Sequence, residues 1–183
     1  MIILFGVVGS GKSEQAKRLV AKLRCPHIST SHLISQKANP QWDKLIMAGS
    51  LLADEDVFSI LAPELERIDA AHKEFILDGA PRSIGQAEWL DQKIKDGKVK
   101  FTAIIHLDVS KEAVTKRLLK RGRDDDQEHI IARRFEQYDN LTTPVLDYFR
   151  SHGYAVNEVD GSYSIDEVEN QIWQILKDKV HAA

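Results

Sequence analysis

Short apolar segments alternate with longer amphipathic segments along the whole chain. Five segments have the length of a strand: residues 1–5, 75–78 and 103–108 are apolar runs, and residues 27–29 and 154–159 are further candidates. A continuous apolar run of this kind is typical of a strand that is buried on both faces of a parallel sheet. We therefore predict an α/β fold in which five parallel strands carry helices on both faces.

The amphipathic segments show helical spacing. From Lys12 onward, apolar residues recur on one helix face and stop before Pro26; they are Ala16, Leu19, Val20 and Leu23. Near the end of the chain, Ser164 and Glu167 have the spacing of a capping box. We predict that a helix begins there and that its buried face contains Val168, Ile172, Ile175 and Leu176.

Composition limits the class of protein. A length of 183 residues fits one domain. Lysine and arginine total 25 against 28 acidic residues, and this net charge of −3 disfavours a nucleic acid or an anionic membrane as a partner. The single cysteine, Cys25, excludes an internal disulfide, and we expect it to be buried. No apolar run approaches the ~18 residues of a membrane span, so we expect a cytoplasmic protein.

Residues 6–13 carry the clearest chemistry. They read Gly-Val-Val-Gly-Ser-Gly-Lys-Ser, which matches the phosphate-loop pattern G-x-x-x-x-G-K-[ST]. Backbone N–H groups of such a loop point at phosphate oxygens, Lys12 reaches the β- and γ-phosphates, and the Ser13 hydroxyl binds Mg²⁺. The loop lies between a strand pattern and a helix pattern, which disfavours a chance glycine-rich turn.

Two carboxylates at the ends of predicted strands are candidates for the second magnesium-binding group. Asp78 and Asp108 each end an apolar run, and either carboxylate suits the ion; Asp78 is our first choice and Asp108 the alternative. Small GTPases are disfavoured because the chain has no Asn-Lys-x-Asp motif. Motor and transport ATPases are usually larger. Small-molecule kinases are therefore the leading class.

Basic residues cluster in the second half of the chain. Residues 111–123 contain six basic side chains and one acid, Glu112. Arg117 and Arg121 lie one helical turn apart, and Gly122 provides a hinge before a new helix that we expect Asp124 or Asp125 to cap. A hinged cationic arm suits a lid that closes over polyphosphate.

Further short motifs complete a recognisable set. They are His-Ile-Ser-Thr at 27–30, Gly-Ser-Leu-Leu at 49–52, Asp-Gly-Ala-Pro-Arg at 78–82 with Gln86, Arg-Gly-Arg-x-Asp-Asp from Arg121, Thr143-Pro144, and Asp-Gly-Ser at 160–162. With the phosphate loop, these motifs resemble the adenylate kinase family of nucleoside monophosphate kinases over nearly the whole chain. The resemblance implies a single P-loop NTPase-fold domain over residues 1–183. It also implies a small acceptor-binding insertion at about 30–58 and a very short lid at about 121–126.

The resemblance also implies a reaction and its residues. The reaction is reversible transfer of the ATP γ-phosphoryl to AMP, with Mg²⁺ held by Ser13 and Asp78. The implied ATP-binding residues are Gly9, Ser10, Gly11, Lys12, Ser13, Glu14, Arg117, Arg121 and Gly161. The implied monophosphate-binding residues are Thr30, Ser50, Leu51, Leu52, Gly79, Arg82, Gln86, Arg123 and Arg134, where Gln86 reads the base. The implied catalytic residues are Lys12, Arg82, Arg121, Arg123 and Arg134. We expect a monomer.

The sequence departs from the family pattern in the acceptor half. After Thr30 the family usually has Gly-Asp and, at the fifth position, an arginine for the acceptor phosphate; this chain has Ser31, His32 and Ser35. Loss of one charged hydrogen-bond partner costs about 1.5–3 kcal/mol, which Lys37 could partly offset. Alternatives to AMP therefore stay open: another monophosphate such as CMP, UMP or dAMP, a non-nucleotide acceptor, or a nucleotide sensor without turnover.

The lid and the phosphate loop depart less. Ser13-Glu14 replaces the family's Gly-Thr and restores the general phosphate-loop form. Only Gly122 and Arg123 separate Arg121 from Asp124, and without cysteines a zinc-bearing lid is excluded. A lid this short predicts some ATP hydrolysis in the absence of an acceptor.

Overall fold

Five parallel strands form one sheet at the centre of the molecule. The computed structural model describes residues 1–124 and 126–180. The strands are β1 (Ile2–Phe5), β2 (His27–Ser29), β3 (Ile76–Asp78), β4 (Ala103–Asp108) and β5 (Val156–Asp160). All five predicted strands are present, and the largest difference is that β5 begins two residues after its apolar run.

The order of the strands brings the candidate chemistry to one edge of the sheet. The order is β2-β3-β1-β4-β5, and every neighbouring pair is parallel. Leu4 pairs with Asp78, and Phe5 pairs with His106. Because parallel strands share one carboxyl edge, the phosphate loop after β1 lies beside the ends of β3 and β4. Ligands of open α/β sheets bind at this edge.

Helices connect the strands. In chain order they are α1 (Lys12–Leu23), α2 (Thr30–Ser35), α3 (Pro40–Met47), α4 (Asp54–Arg67), α5 (Ile84–Lys95), α6 (Lys111–Arg121), α7 (Glu128–Gln137), α8 (Thr143–Ser151) and α9 (Ile165–Leu176). A π-helical turn, Tyr138–Thr142, joins α7 to α8. The predicted capping box is confirmed at the start of α9, where the Ser164 hydroxyl accepts from the Glu167 N–H.

Side-chain alternation along β1 separates two hydrophobic cores. Ile3 and Phe5 face a core that α4, α5 and α8 close, whereas Ile2 and Leu4 face a core that α1 and α9 close. Both faces of the sheet are therefore covered, as predicted. The α2–α3 segment extends between β2 and the start of α4 and corresponds to the predicted acceptor-binding insertion.

The predicted cap of the helix after Gly122 is wrong for Asp124. Helix α7 begins at Glu128, and its N-cap residue is Gln127, which makes no side-chain cap hydrogen bond. The carboxylate of Asp126, two residues further on, binds Arg121, so this acid holds the preceding helix. Asp125, the other predicted cap, lies outside the described residues.

Two expectations about the remaining sequence can be compared with the fold. Cys25 is buried, as expected. In the part of the chain that the structure describes, no helix combines the length and the apolar character that a membrane crossing requires.

A buried carboxylate joins α5 to the segment before β5 and predicts an effect of pH on stability. Asp91, 2% exposed, accepts hydrogen bonds from Tyr154 at 2.6 Å, Tyr148 at 3.0 Å and Lys95 at 2.6 Å. Burial alone raises the pKa of this carboxyl, but the ammonium and the two phenols outweigh burial, and the pKa lies below its ordinary value. The folded protein therefore gains stability from Asp91 above the unfolded pKa of about 3.9 and loses it as the pH falls further.

We expect Asp91→Asn to lower the free energy of unfolding at pH 7 by about 1.5–3 kcal/mol, because a charge-assisted network loses its anion. The difference from the unsubstituted protein should shrink as the pH falls through about 4. Urea unfolding at a series of pH values measures both effects. The exposed Asp96→Asn on the following turn is the control; a difference for Asp91→Asn that is independent of pH contradicts the prediction.

Candidate active site

The phosphate loop between β1 and α1 has a backbone that only glycine permits at two positions. Gly6 has φ +145°, and a Cβ there would lie 2.8 Å from the carbonyl oxygen of Leu107. Gly9 has φ +82°, and a Cβ there would lie 2.9 Å from the side chain of Leu118 on α6. These close approaches fold the loop against β4 and α6. The Ser10 hydroxyl is buried in it and has no hydrogen-bond partner among the residues that the structure describes.

Lys12 lies at the start of α1 and turns its side chain back over this loop. Its ammonium donates to the carbonyl oxygens of Gly6 and Val7, the latter at 2.9 Å. Burial lowers the pKa of Lys12 to about 8, and the nearby Asp78 carboxylate opposes that shift. The ammonium therefore lies over the loop and is bound only by neutral carbonyl oxygens. The oxygens of a bound polyphosphate would replace these acceptors.

Ser13 and Asp78 meet across the sheet edge. The Ser13 hydroxyl donates to Asp78 Oδ2 at 2.9 Å, and Asp78 itself is buried. Asp108, the alternative, has an exposed side chain, and its backbone carbonyl accepts from the Gly161 N–H at 2.8 Å. A hydroxyl beside a carboxylate provides the oxygen donors that Mg²⁺ prefers. The geometry therefore favours Asp78 over Asp108.

The remaining predicted ATP-side residues lie around the loop. A Cβ built at Gly161 would lie 3.3 Å from the Ser10 carbonyl oxygen, so the turn after β5 touches the phosphate loop. Arg117 donates to the Gly161 carbonyl at 2.9 Å, which fixes α6 to that turn. Glu14 is exposed, and its carboxylate pairs with Arg18 one turn further along α1. Its side chain therefore points away from the phosphate loop.

Arg121 and Arg123 stand at the end of α6, where the lid is expected. Arg121 makes a two-pronged ion pair with buried Asp126, at 2.8 and 2.6 Å. The Arg123 N–H donates to the same carboxylate at 3.1 Å, and its side chain is exposed. Arg121 lowers the pKa of Asp126, so this carboxyl remains ionised at neutral pH. The turn is therefore organised around one buried anion.

The predicted acceptor-side residues begin with Thr30 and Arg82. Thr30 is buried, and its hydroxyl has no hydrogen-bond partner among the described residues. A Cβ built at Gly79 would lie 3.4 Å from the Cβ of Thr30. Arg82 has an exposed guanidinium that donates from Nε to the Gly79 carbonyl at 2.8 Å. Thr142, on the π-helical turn, donates to the Arg82 carbonyl at 3.2 Å. The fold thus presents a fixed cation beside a buried hydroxyl that lacks a partner.

Gln86, predicted to read the acceptor base, is buried in the first turn of α5. Its Oε1 accepts from the Arg82 N–H at 2.8 Å, and its Nε2 donates to Asp54 Oδ1 at 2.9 Å. The Ser83 hydroxyl donates to the same oxygen at 2.6 Å. Both ends of the amide therefore have a protein partner, although each end keeps a second hydrogen-bonding position.

The segment at 49–52 rests on α7. A Cβ at Gly49 would lie 3.2 Å from Ile130 and 3.5 Å from Arg134, and Arg133 donates to the Ser50 hydroxyl at 2.8 Å. Leu51 is half-buried, whereas Leu52 belongs to the core beneath α4. These contacts bring the predicted acceptor segment and Arg134 to one side of the cleft.

At position 35, where the family carries an arginine, this chain has a serine. The Ser35 hydroxyl donates to the His32 carbonyl at 2.7 Å and stays within α2. Lys37, the expected substitute, is exposed just beyond the end of the same helix.

Sequence reasoning missed three residues of this site: Asp54, Asp126 and Arg133. Each acts through a partner that is 5 to 83 positions away in the chain, and long-range pairs leave no periodic pattern. Asp126 is the last residue of the Arg-Gly-Arg-x-Asp-Asp motif, and its place in that motif is the signal that could have identified it. Asp54 belongs to an acidic first turn that reads as an ordinary helix start.

Comparisons with known proteins agree with this geometry. A family model described as adenylate kinase matches residues 4–154. The chain is similar to an adenylate kinase of Corynebacterium urealyticum, with 37% identity over 91% of this chain and 93% of the relative. It is also similar to adenylate kinases of Maricaulis maris, at 36% over 97% and 99%, and Petrotoga mobilis, at 29% over 96% and 97%. The chain therefore belongs to the adenylate kinase family of phosphotransferases, the nucleoside monophosphate kinases.

Proposed function

We propose that this kinase transfers the γ-phosphoryl group of ATP to AMP and that the cleft at the carboxyl edge of the sheet performs the transfer. The ATP-side residues are those of the phosphate loop, Gly9 to Glu14, together with Arg117, Arg121 and Gly161. The acceptor-side residues are Thr30, Ser50, Leu51, Leu52, Gly79, Arg82, Gln86, Arg123 and Arg134. The acceptor-binding segment then covers about 30–58 and the lid about 121–126, within one domain.

One observation supports the donor half most directly. Lys12 is drawn over the loop by two carbonyl oxygens, beside a buried Ser10 hydroxyl that has no partner. A triphosphate offers oxygens to both groups and to the N-terminus of α1. In-line phosphoryl transfer needs positioning and charge neutralisation more than covalent chemistry, and this loop provides both.

Magnesium fits the donor set next to this loop. Ser13 and Asp78 would hold the ion, as their hydrogen bond places a hydroxyl and a carboxylate together. When bound, Mg²⁺ neutralises charge on the β- and γ-phosphate oxygens. The chain's own task there is to keep the Asp78 carboxylate buried and oriented by Ser13.

The acceptor half rests on Arg82, Thr30 and Gln86. A planar guanidinium can bind two phosphate oxygens at once. Arg82 is held by its hydrogen bond to the Gly79 carbonyl, and Gly79 adjoins Thr30, so a phosphate bound by Arg82 would lie near Thr30. Arg121, Arg123 and Arg134 lie on α6, α7 and their connection, from where they would close on the transferred group. We further propose a cytoplasmic monomer; the near-neutral charge of the chain supports the proposal that it binds neither nucleic acid nor an anionic membrane.

The test is ADP release with Mg-ATP and a panel of monophosphates: AMP, dAMP, CMP, UMP and GMP. AMP should be the best acceptor because Gln86 lies where the resemblance puts the base-reading residue. Turnover with another monophosphate alone would move the acceptor assignment, and Ser35 in place of the family's arginine is the reason to include those compounds. ATP binding without turnover on any acceptor would identify a nucleotide sensor instead.

We expect slow ATP hydrolysis when no acceptor is present. Only residues 122–127 connect α6 to α7, so the lid offers little surface to exclude water from the γ-phosphate. ADP release without monophosphate measures this activity. Lys12→Ala should abolish it, which separates it from a contaminating ATPase; an undetectable rate in the unsubstituted enzyme contradicts the prediction.

A further inference from the structure

Three side chains and two backbone N–H groups form a hydrogen-bond network at the junction of α4 and α5. Asp54 is the first residue of α4, and its Oδ1 accepts from both Ser83 and Gln86. Ser83 is the N-cap residue of α5, and its hydroxyl oxygen accepts from the Gln86 N–H at 3.2 Å. Gln86 Oε1 accepts from the Arg82 N–H. The carboxylate thus holds the base-reading candidate and the N-cap residue of α5 together.

The partners of Gln86 fix which end of its amide points where. A carboxylate oxygen only accepts hydrogen bonds, so it selects the NH₂ end of the amide; a backbone N–H only donates, so it selects the carbonyl end. Rotating the amide by half a turn would place oxygen against oxygen at Asp54 and donor against donor at Arg82. Because Gln86 is 4% exposed, water would not relieve either clash.

A fixed amide can tell adenine from hypoxanthine. The Watson–Crick edge of adenine offers a donor at N6 and an acceptor at N1, whereas hypoxanthine offers an acceptor at O6 and a donor at N1. Only the order of the oxygen and the NH₂ of Gln86 distinguishes these edges, and a free amide would match either one by rotation. Discrimination then requires a residue that prevents the rotation.

We propose that Asp54 is a positioning residue that locks the amide of Gln86 and thereby sets the enzyme's preference for an adenine over a hypoxanthine monophosphate. This inference rests on the proposed function, in which Gln86 reads the acceptor base. Asp54 is the first residue of α4 and lies within the proposed acceptor-binding segment, about 30–58, so the lock links that segment to the first turn of α5.

Gly85 provides a second way to disturb the lock without removing any of its groups. A Cβ built at Gly85 would overlap Asp54 Oδ2, so the carboxylate rests directly on this glycine. Gly85 lies inside α5 and does not have a positive φ, and an alanine there is favoured by helix propensity. Gly85→Ala should therefore displace the Asp54 carboxylate while leaving the helix intact.

The experiment measures kcat/KM for AMP and for inosine monophosphate, at saturating Mg-ATP, in the full chain. Asp54→Asn keeps the size of the side chain but presents either an oxygen or an NH₂ group, so it releases the lock. The ratio of the two kcat/KM values should fall at least about tenfold in Asp54→Asn and in Gly85→Ala, with the KM for ATP changed less than about twofold. Glu55→Gln, which removes an exposed acid from the same first turn, is the matched control and should keep the ratio.

The outcomes separate this inference from the function on which it rests. An unchanged ratio in Asp54→Asn, when Gln86→Leu loses the preference, would overturn the lock but keep Gln86 as the base reader. If the unsubstituted enzyme does not prefer AMP, the proposed acceptor fails and the lock fails with it. Thermal unfolding of each variant shows whether a fall in the ratio accompanies loss of fold; a fall only in variants that melt lower than Glu55→Gln also counts against the lock.

Discussion

Lys12→Ala is expected to lower kcat for phosphoryl transfer by about a thousandfold. The ammonium is the cation that the fold places over the phosphate loop, and loss of one preorganised charge from a water-poor site has an effect of this size. Lys12 donates its hydrogen bonds to the carbonyl oxygens of Gly6 and Val7, so its removal breaks no hydrogen-bonded ion pair, although the buried Asp78 carboxylate loses a nearby cation. Initial rates of ADP formation from ATP and AMP measure the loss.

Lys17→Ala is the control for this variant. Lys17 is exposed on the same helix, α1, so its removal changes the helix charge but not the loop. The two variants should unfold at similar temperatures. Full activity of Lys12→Ala would remove the phosphate loop from the mechanism.

Arg82→Ala is expected to lower kcat/KM for AMP by about a hundredfold while the KM for ATP changes little. The guanidinium is the fixed cation beside the unpartnered Thr30 hydroxyl, and a charge-assisted hydrogen bond to phosphate is worth about 1.5–3 kcal/mol. The effect should be larger here than in a kinase with a second acceptor arginine, because the chain has Ser35 at that position. Steady-state kinetics with each substrate varied separates the two halves of the site.

Two further variants sharpen this test. Arg82→Lys keeps the charge but loses the planar pair of donors, so an intermediate activity is expected. Arg67→Ala removes an exposed arginine of α4 that pairs with Glu64 on the surface, and it should behave as the unsubstituted enzyme. A change in the KM for ATP as large as that for AMP would mean that Arg82 does not belong to the acceptor half.

The fold could be predicted because its determinants are local. Strands β1, β3 and β4 are short apolar runs, and each run ends at a glycine or a carboxylate that also ends the strand. The phosphate loop follows from eight consecutive residues, and the capping box of α9 from four. The alternation of strands and helices also predicts a parallel sheet covered on both faces, whereas the strand order is known only from the structure.

The parts that could not be predicted depend on pairs of polar residues. Asp54 and Gln86 are 32 positions apart, and nothing in the composition of either segment says that they meet. The acids after Arg123 looked like helix caps because Asp is a common N-cap residue. Asp124, one of the two predicted caps, is not the N-cap residue, and the nearby Asp126 forms a buried two-pronged ion pair with Arg121 that no local pattern indicates.

The ion pair between Arg121 and Asp126 also affects how ATP binding depends on salt. In the free enzyme the guanidinium already has an anionic partner, so an incoming phosphate exchanges with a carboxylate rather than meeting a bare charge. An exchange of one anion for another gains little net Coulomb energy, and ionic strength screens both partners alike. The number of arginines in the cleft therefore overstates how steeply the affinity for ATP should fall as salt is added.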